Sequence, residues 1–213
     1  MAGEEEQIVA LKKWWSENGK STLAGLGIGL AAVVGWQSWQ TWDRSQAELA
    51  SERYEQLVAD ATADRHAQAL SGAEALTEEF PDSAYASFAS LIAARAAVQT
   101  GDPGKAKEHL QRVVENAAFP ELVPIARLRL ARLMFEAREY DGALAELGRI
   151  ESAPFHDRVK ELQGDIHHAR GDSTAARESY ETVLADAELS PSTRVRVRMK
   201  LDDLGEYTSP PSS

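Results

Sequence analysis

The 213-residue chain has no cysteine. That single absence excludes a disulfide framework, a thiolate nucleophile, a zinc site built on cysteine and a lipoprotein attachment cysteine. Positive charge is also scarce: 23 Lys and Arg stand against 34 Asp and Glu, a net charge of −11. An acidic chain without a concentrated basic face does not suit nucleic acid. Beyond Asp43 there is almost no strand signal. Catalytic signatures are missing as well: there is no P-loop, no GxSxG elbow and no HExxH, and His66, His109, His156, His167 and His168 form no metal-ligand spacing. His167 and His168, adjacent on a helix, point about 100° apart. The expectation is a protein that is not an enzyme, with no cofactor and no metal.

What is present begins with a stretch free of charge, Ser21 to Trp42, STLAGLGIGLAAVVGWQSWQTW. As a helix it would be about 33 Å long, close to the roughly 30 Å of a bilayer's hydrocarbon core. All five tryptophans flank or end it, Trp14 and Trp15 before and Trp36, Trp39 and Trp42 after, as indoles at two headgroup zones would be placed. The apolar centre, Leu23 to Trp36, is short and holds four glycines, so on hydropathy alone it also fits a signal-peptide core or a buried helix. The tryptophans favour a single transmembrane helix over 21–42, uncleaved because no small-residue cleavage site follows its core. Residues 1–20 are expected to form a short cytoplasmic amphipathic segment with Ile8, Leu11 and Trp15 on one face. Lys12, Lys13 and Lys20 before the span, against Arg44 and Arg53 after it, place the N-terminus in the cytoplasm and the large domain across the membrane. Gly25, Gly29 and Gly35 are candidate positions for close helix packing in the membrane, the first two forming a GxxxG.

Residues 43–207 read as a repeat. Ala69, Ala106, Ala143 and Ala176 each open a short amphipathic helix, at intervals of 37, 37 and 33 residues. Turn signals precede the later three: Gly101-Asp102-Pro103-Gly104, Arg138-Glu139-Tyr140-Asp141-Gly142 and Gly171-Asp172-Ser173. Twelve residues before those three alanines lie Ala94, Ala131 and Gly164, small residues where two helices must cross. This is the tetratricopeptide arrangement of two antiparallel helices per unit, and the predicted fold is an all-α solenoid. The first unit is degenerate, since its crossing position is Leu57. Pro81, Pro120, Pro124 and Pro154 punctuate the joints. From Ser192 to Gly205 the alternation of Val195, Val197, Met199 and Leu201 with Arg194, Arg196, Arg198 and Lys200 resembles a strand, yet Val197, Leu201 and Leu204 also fit a helix face. A capping helix with a solvated basic side is expected there, followed by a disordered tail over 208–213.

The N-terminal block carries a more specific signal. Glu6-Gln7, then Leu11-Lys12-Lys13-Trp14-Trp15-Ser16-Glu17-Asn18-Gly19-Lys20, a glycine-rich span, then Trp36 and Trp39, resembles the ancillary SecYEG translocon subunit family, the YfgM-like proteins. Met199-Lys200-Leu201-Asp202-Asp203-Leu204 is similar to that family's closing helix. The resemblance covers nearly the whole chain. It implies a single-pass protein of the bacterial inner membrane, N-terminus cytoplasmic and repeats periplasmic. Its implied partners are the SecYEG translocon, a membrane-anchored periplasmic chaperone of the peptidyl-prolyl isomerase type and emerging secretory proteins. It brings no catalytic motif. Two other readings stay open from the residues alone: a membrane-anchored repeat scaffold for another envelope assembly process, and a regulator that sequesters a signalling protein.

Overall fold

The computed structural model describes residues 2–205. The expected tail over 208–213 and the domain end at Tyr207 lie outside the described residues. Every regular element among them is helical: α1 Ala2–Thr62, α2 His66–Glu79, α3 Ala84–Gln99, α4 Pro103–Asn116, α5 Val123–Glu136, α6 Tyr140–Gly148, α7 His156–Ala169, α8 Ser173–Leu184 and α9 Pro191–Asp203. Short 3-10 turns at Pro120–Leu122 and Ala153–Phe155 lead into α5 and α7. The chain divides into two compact units, Met1–Leu49 and Ala50–Ser213, and the division falls within α1.

In the first unit, Trp14, Trp15, Trp36, Trp39 and Trp42 are exposed, as are Leu26, Ile28, Leu30, Val33 and Val34. The Trp15 indole lies along the helix over Gly19, where an added Cβ would come within 3.3 Å of three of its ring atoms. Asn18 donates its side-chain amide to the Trp14 carbonyl at 3.2 Å. Of Leu11, only the helical backbone is described. Among the described residues no helix is long and apolar enough to cross a membrane. The transmembrane helix expected over 21–42 is therefore not supported, and the cause is visible in the sequence. The apolar centre, Leu23 to Trp36, is diluted by Gly25, Gly27, Gly29 and Gly35 and runs directly into Ser21 and Thr22 on one side and Gln37 and Ser38 on the other.

The second unit stacks antiparallel helix pairs, each sharing its buried face with the next. Its joints repeat one backbone device. Asp64, Gly101, Arg138 and Gly171 all have left-handed φ, at 54°, 81°, 61° and 81°. Their spacing, 37, 37 and 33 residues, equals that of the register alanines. The residue after each donates its N–H to the carbonyl five positions back: Arg65 to Asp60, Asp102 to Ala97, Glu139 to Met134 and Asp172 to His167, at 2.8–3.0 Å. This is the Schellman closure of a helix, which satisfies orphan carbonyls and reverses the chain. Where the next residue is aspartate it also caps the following helix, Asp102 accepting from Lys105 N–H and Asp172 from Ala175 N–H. Ser83 and Ser190 cap α3 and α9 in the same way.

The basic side of α9 is not simply solvated. Arg196 and Lys200 both bind Glu161 on α7 at 2.8 Å, Lys200 also binds Asp165, and Arg194 donates to the carbonyls of Leu184 and Asp186. The guanidinium and ammonium groups pull the Glu161 carboxyl down to about 2, with Arg196 the stronger influence. Only Arg198 of the four bases is left exposed without a described partner. The last helix is thus fastened to the preceding pair through charges as well as through Val197 and Leu201.

Candidate protein-interaction surface

The small residues of the repeat register are packing positions. Ala106, Ala131, Ala143 and Ala176 are completely inaccessible, and Ala94 is nearly so. Ala106 lies in the cluster of the first helix pairs, Ala94 meets the apolar face carrying Leu110, and Ala131 and Ala143 share a cluster with Leu147. Gly164 sits under the Tyr180 ring, so closely that an added Cβ would fall 2.4 Å from the ring. The tyrosine cannot easily yield: its hydroxyl donates to Asp165 at 2.8 Å, and Asp165 is held in turn by Lys200. Burial and the adjoining carboxylate push the Tyr180 hydroxyl up, so it stays a donor. None of these residues is available to a ligand. Gly25, Gly29 and Gly35 are the opposite case: among the described residues, apart from the adjoining turns of the helix itself, nothing lies within 4 Å of an added Cβ.

Surface capable of meeting a partner lies along the inner row formed by the end of α1 and by α3, α5 and α7. Tyr54, Phe88, Ile92, Arg95, Ile125 and Arg129 line a groove of about 240 Å³. A neighbouring hollow of about 390 Å³ is lined by Arg95, Val98, Arg129, Arg132, Leu133 and Glu136. The aromatic side is continuous. The Tyr54 ring centroid is 5.1 Å from that of Tyr85 and 6.2 Å from that of Phe88, and Phe88 is 5.6 Å from Phe119. Tyr85 donates its hydroxyl to Ser51 at 3.2 Å, which fixes the end of the row.

Equivalent positions change chemistry from repeat to repeat. Phe88, Ile125 and Arg158 are separated by the repeat intervals, as are Arg95, Arg132 and Asp165. At the last repeat the carboxylates Glu161 and Asp165 are neutralised by α9, whereas at the earlier repeats the guanidinium groups stand alone. Sequence patterns did not single out these inner residues. A usable signal existed: Arg95 and Arg132 each follow a crossing alanine, Ala94 and Ala131, by one position.

One buried group lies apart from this surface. His109, on α4, is buried, and burial pushes its pKa down; its Nδ1 has no hydrogen-bond partner, while Nε2 is 3.8 Å from Glu74. Among the described residues no group of three or more His, Asp or Glu side chains is placed to hold a metal ion.

The sequence profile of the tetratricopeptide repeat-like domain matches residues 12–206. The ancillary SecYEG translocon subunit of Haemophilus influenzae is 32% identical over 201 residues, covering 94% of this chain and 97% of its own. That of Escherichia coli K12 is 28% identical, covering 94% and 96%. Among solved structures, that of Pseudomonas aeruginosa pilF superposes with a TM-score of 0.58 at 18% identity, over 75% of this chain and 69% of its own. MamA gives 0.56 at 16% identity, over 68% and 80%. At such identities the two structures speak to fold alone. Two-helix units in a 37, 37, 33 register, a WWSENGK block ahead of a glycine-rich helix and near end-to-end similarity to these relatives agree, and the chain belongs to the ancillary SecYEG translocon subunit family, with a tetratricopeptide repeat-like domain.

Proposed function

We propose that this protein is a membrane-held scaffold at the Sec translocon, which uses its repeats to hold a periplasmic chaperone of the peptidyl-prolyl isomerase type or a secretory chain leaving the channel. The reading rests on the inner groove of the second unit, an extended strip of aromatic and guanidinium side chains along three helices, in a chain of this family. Such a strip suits protein segments, because successive side chains of an extended partner meet successive repeats.

The first unit is the membrane-facing part in this reading, with the N-terminus in the cytoplasm and the repeats in the periplasm of a bacterial inner membrane. A helix too dilute in apolar residues to cross alone is stabilised when partner helices cover its backbone, and Gly25, Gly29 and Gly35 leave room for that approach. Residues 21–42 then enter the membrane packed against helices of the translocon. The test is site-specific photo-crosslinking in intact membranes, with the probe at Gly29 and, separately, at Arg53. Translocon subunits at the first position and a chaperone or client at the second are expected. Recovery of unrelated membrane complexes alone, where a known translocon partner is trapped in parallel, refutes the proposal.

A further inference from the structure

Arg95 on α3 and Arg129 and Arg132 on α5 line the two adjoining hollows of the inner groove. Among the described residues none of the three makes a hydrogen bond or an ion pair, in contrast to Arg127, Arg170 and Arg196, each of which binds a carboxylate. The arrangement runs against the composition, because carboxylates outnumber basic groups by eleven in this chain. Glu136, which also lines the second hollow, pairs with none of the three. The Arg129 guanidinium is pushed down by burial and then by the nearby Arg95 charge. Like charges gathered without a counter-ion cost free energy in the unliganded protein and release it when an anion arrives. Beside them stand Tyr54, Phe88 and Ile92, which offer an apolar wall.

We infer that this groove holds an extended protein segment in which a carboxylate side chain lies next to a bulky apolar one, the carboxylate between Arg95 and Arg129 and the apolar group against Tyr54 and Phe88. The inference rests on the scaffold reading above and names the chemistry of what the scaffold grips. A bilayer surface does not fit, since a flat array of headgroups cannot follow a hollow between helices. A long polyanion does not fit either, since the rest of a chain with net charge −11 would repel it. A short acidic-apolar segment presents charge only where the arginines are. Planar guanidinium groups bind carboxylates through paired N–H donors, so the contact is directional as well as electrostatic.

The test uses the full chain in detergent micelles and fluorescein-labelled peptides followed by anisotropy. One peptide carries glutamates beside leucine or phenylalanine; its counterpart replaces every glutamate with lysine. Binding of the acidic peptide only is expected, weakening as salt rises. Arg95→Ala with Arg129→Ala should weaken it about tenfold or more, because two charge-assisted hydrogen-bond donors are removed. Tyr54→Ala should weaken it less, and Arg198→Ala, which removes one exposed positive charge on α9, should not change it. Both arginines are largely solvent-accessible and pair with no described carboxylate, so removing their mutual repulsion leaves the melting temperature of the double variant unchanged or raises it. Equal binding of both peptides, unchanged binding by the double variant, or arginine-dependent binding to anionic phospholipid vesicles in place of the peptide overturns the inference. Crosslinking from Gly29 and Arg53 separates the two ideas: translocon capture with no acidic-peptide binding sinks only this inference, whereas peptide binding without translocon capture sinks only the proposed function.

Discussion

At the crossing of α1 with α2, Leu57 supplies the bulk and Ala73 and Gly72 the space; at the crossing of α7 with α8, Gly164 supplies the space and Tyr180 the bulk. The two positions of each pair are sixteen residues apart in all four units: Leu57 and Ala73, Ala94 and Leu110, Ala131 and Leu147, Gly164 and Tyr180. The two middle units, like the last, keep the small residue on the first helix. Only the first unit inverts the order. A helix crossing is therefore constrained in the volume that two facing side chains occupy together, and either helix can contribute it. The unit that looks degenerate by residue class is regular by volume.

Leu57→Ala carries the largest expected effect. It puts two alanines at one crossing and opens a cavity at a side chain that is 1% exposed, a change that costs about 2–5 kcal/mol. Adding Ala73→Leu restores the order of the middle units and should recover a substantial part of the loss. Urea unfolding of the wild type, both singles and the double provides the coupling free energy. Additive losses would show that the two positions do not share one volume.

Glycines offer a sharper contrast. At Gly164 even the methyl group of alanine meets the Tyr180 ring, with three ring carbons between 2.4 and 2.9 Å, and an overpacked contact of this kind costs about 1–3 kcal/mol. At Gly72 the nearest atom, Leu57 Cδ1, is 4.0 Å from an added Cβ, so alanine there fits and gains roughly 0.5–1 kcal/mol of helix stability. Gly164→Ala should lower the urea midpoint and Gly72→Ala should raise it. Tyr180→Leu in the Gly164→Ala background recreates the alanine-leucine pair of the middle units and should relieve the clash. Equal responses of the two glycines would mean that packing at the crossings is loose enough to absorb a methyl group.

Sequence made the repeats legible because buried alanines and left-handed turns are local features with a fixed period. Ala69, Ala106, Ala143 and Ala176 could be read one at a time. The inverted first crossing could not, since it is a property of two residues sixteen positions apart rather than of Leu57. The partners of the basic face of α9 are hidden for the same reason: Arg196 and Lys200 find Glu161 and Asp165 on α7, 35 to 39 residues away. In residues 21–42 the length and the tryptophans point to a span, while the four glycines of its apolar centre, equally legible, lower the apolar content that crossing a membrane requires. The groove arginines carry no motif, and their meaning comes from a lack of partners that only the packed helices reveal.

The smallest effect concerns the joints. Gly101 and Gly171 hold φ of 81°, while the equivalent joint between α5 and α6 places Arg138 at 61° and the first joint places Asp64 at 54°. A residue with a Cβ in this region is disfavoured by about 1–2 kcal/mol, although aspartate tolerates it better than arginine because its short side chain can bond locally. Glycine removes that conflict but loses roughly 0.5–1 kcal/mol more backbone freedom on folding. The difference leaves Arg138→Gly stabilising by about 0.5–1 kcal/mol and Asp64→Gly close to neutral. Nothing else opposes the gain at Arg138, whose exposed side chain binds no described residue. The Glu139 N–H bond to the Met134 carbonyl, 2.8 Å long, depends on the backbone alone and survives the change. A rise in the urea midpoint for Arg138→Gly, with a smaller or absent rise for Asp64→Gly, is expected. A fall for Arg138→Gly would show that the arginine side chain, and not the left-handed turn it is forced into, sets the stability of that joint.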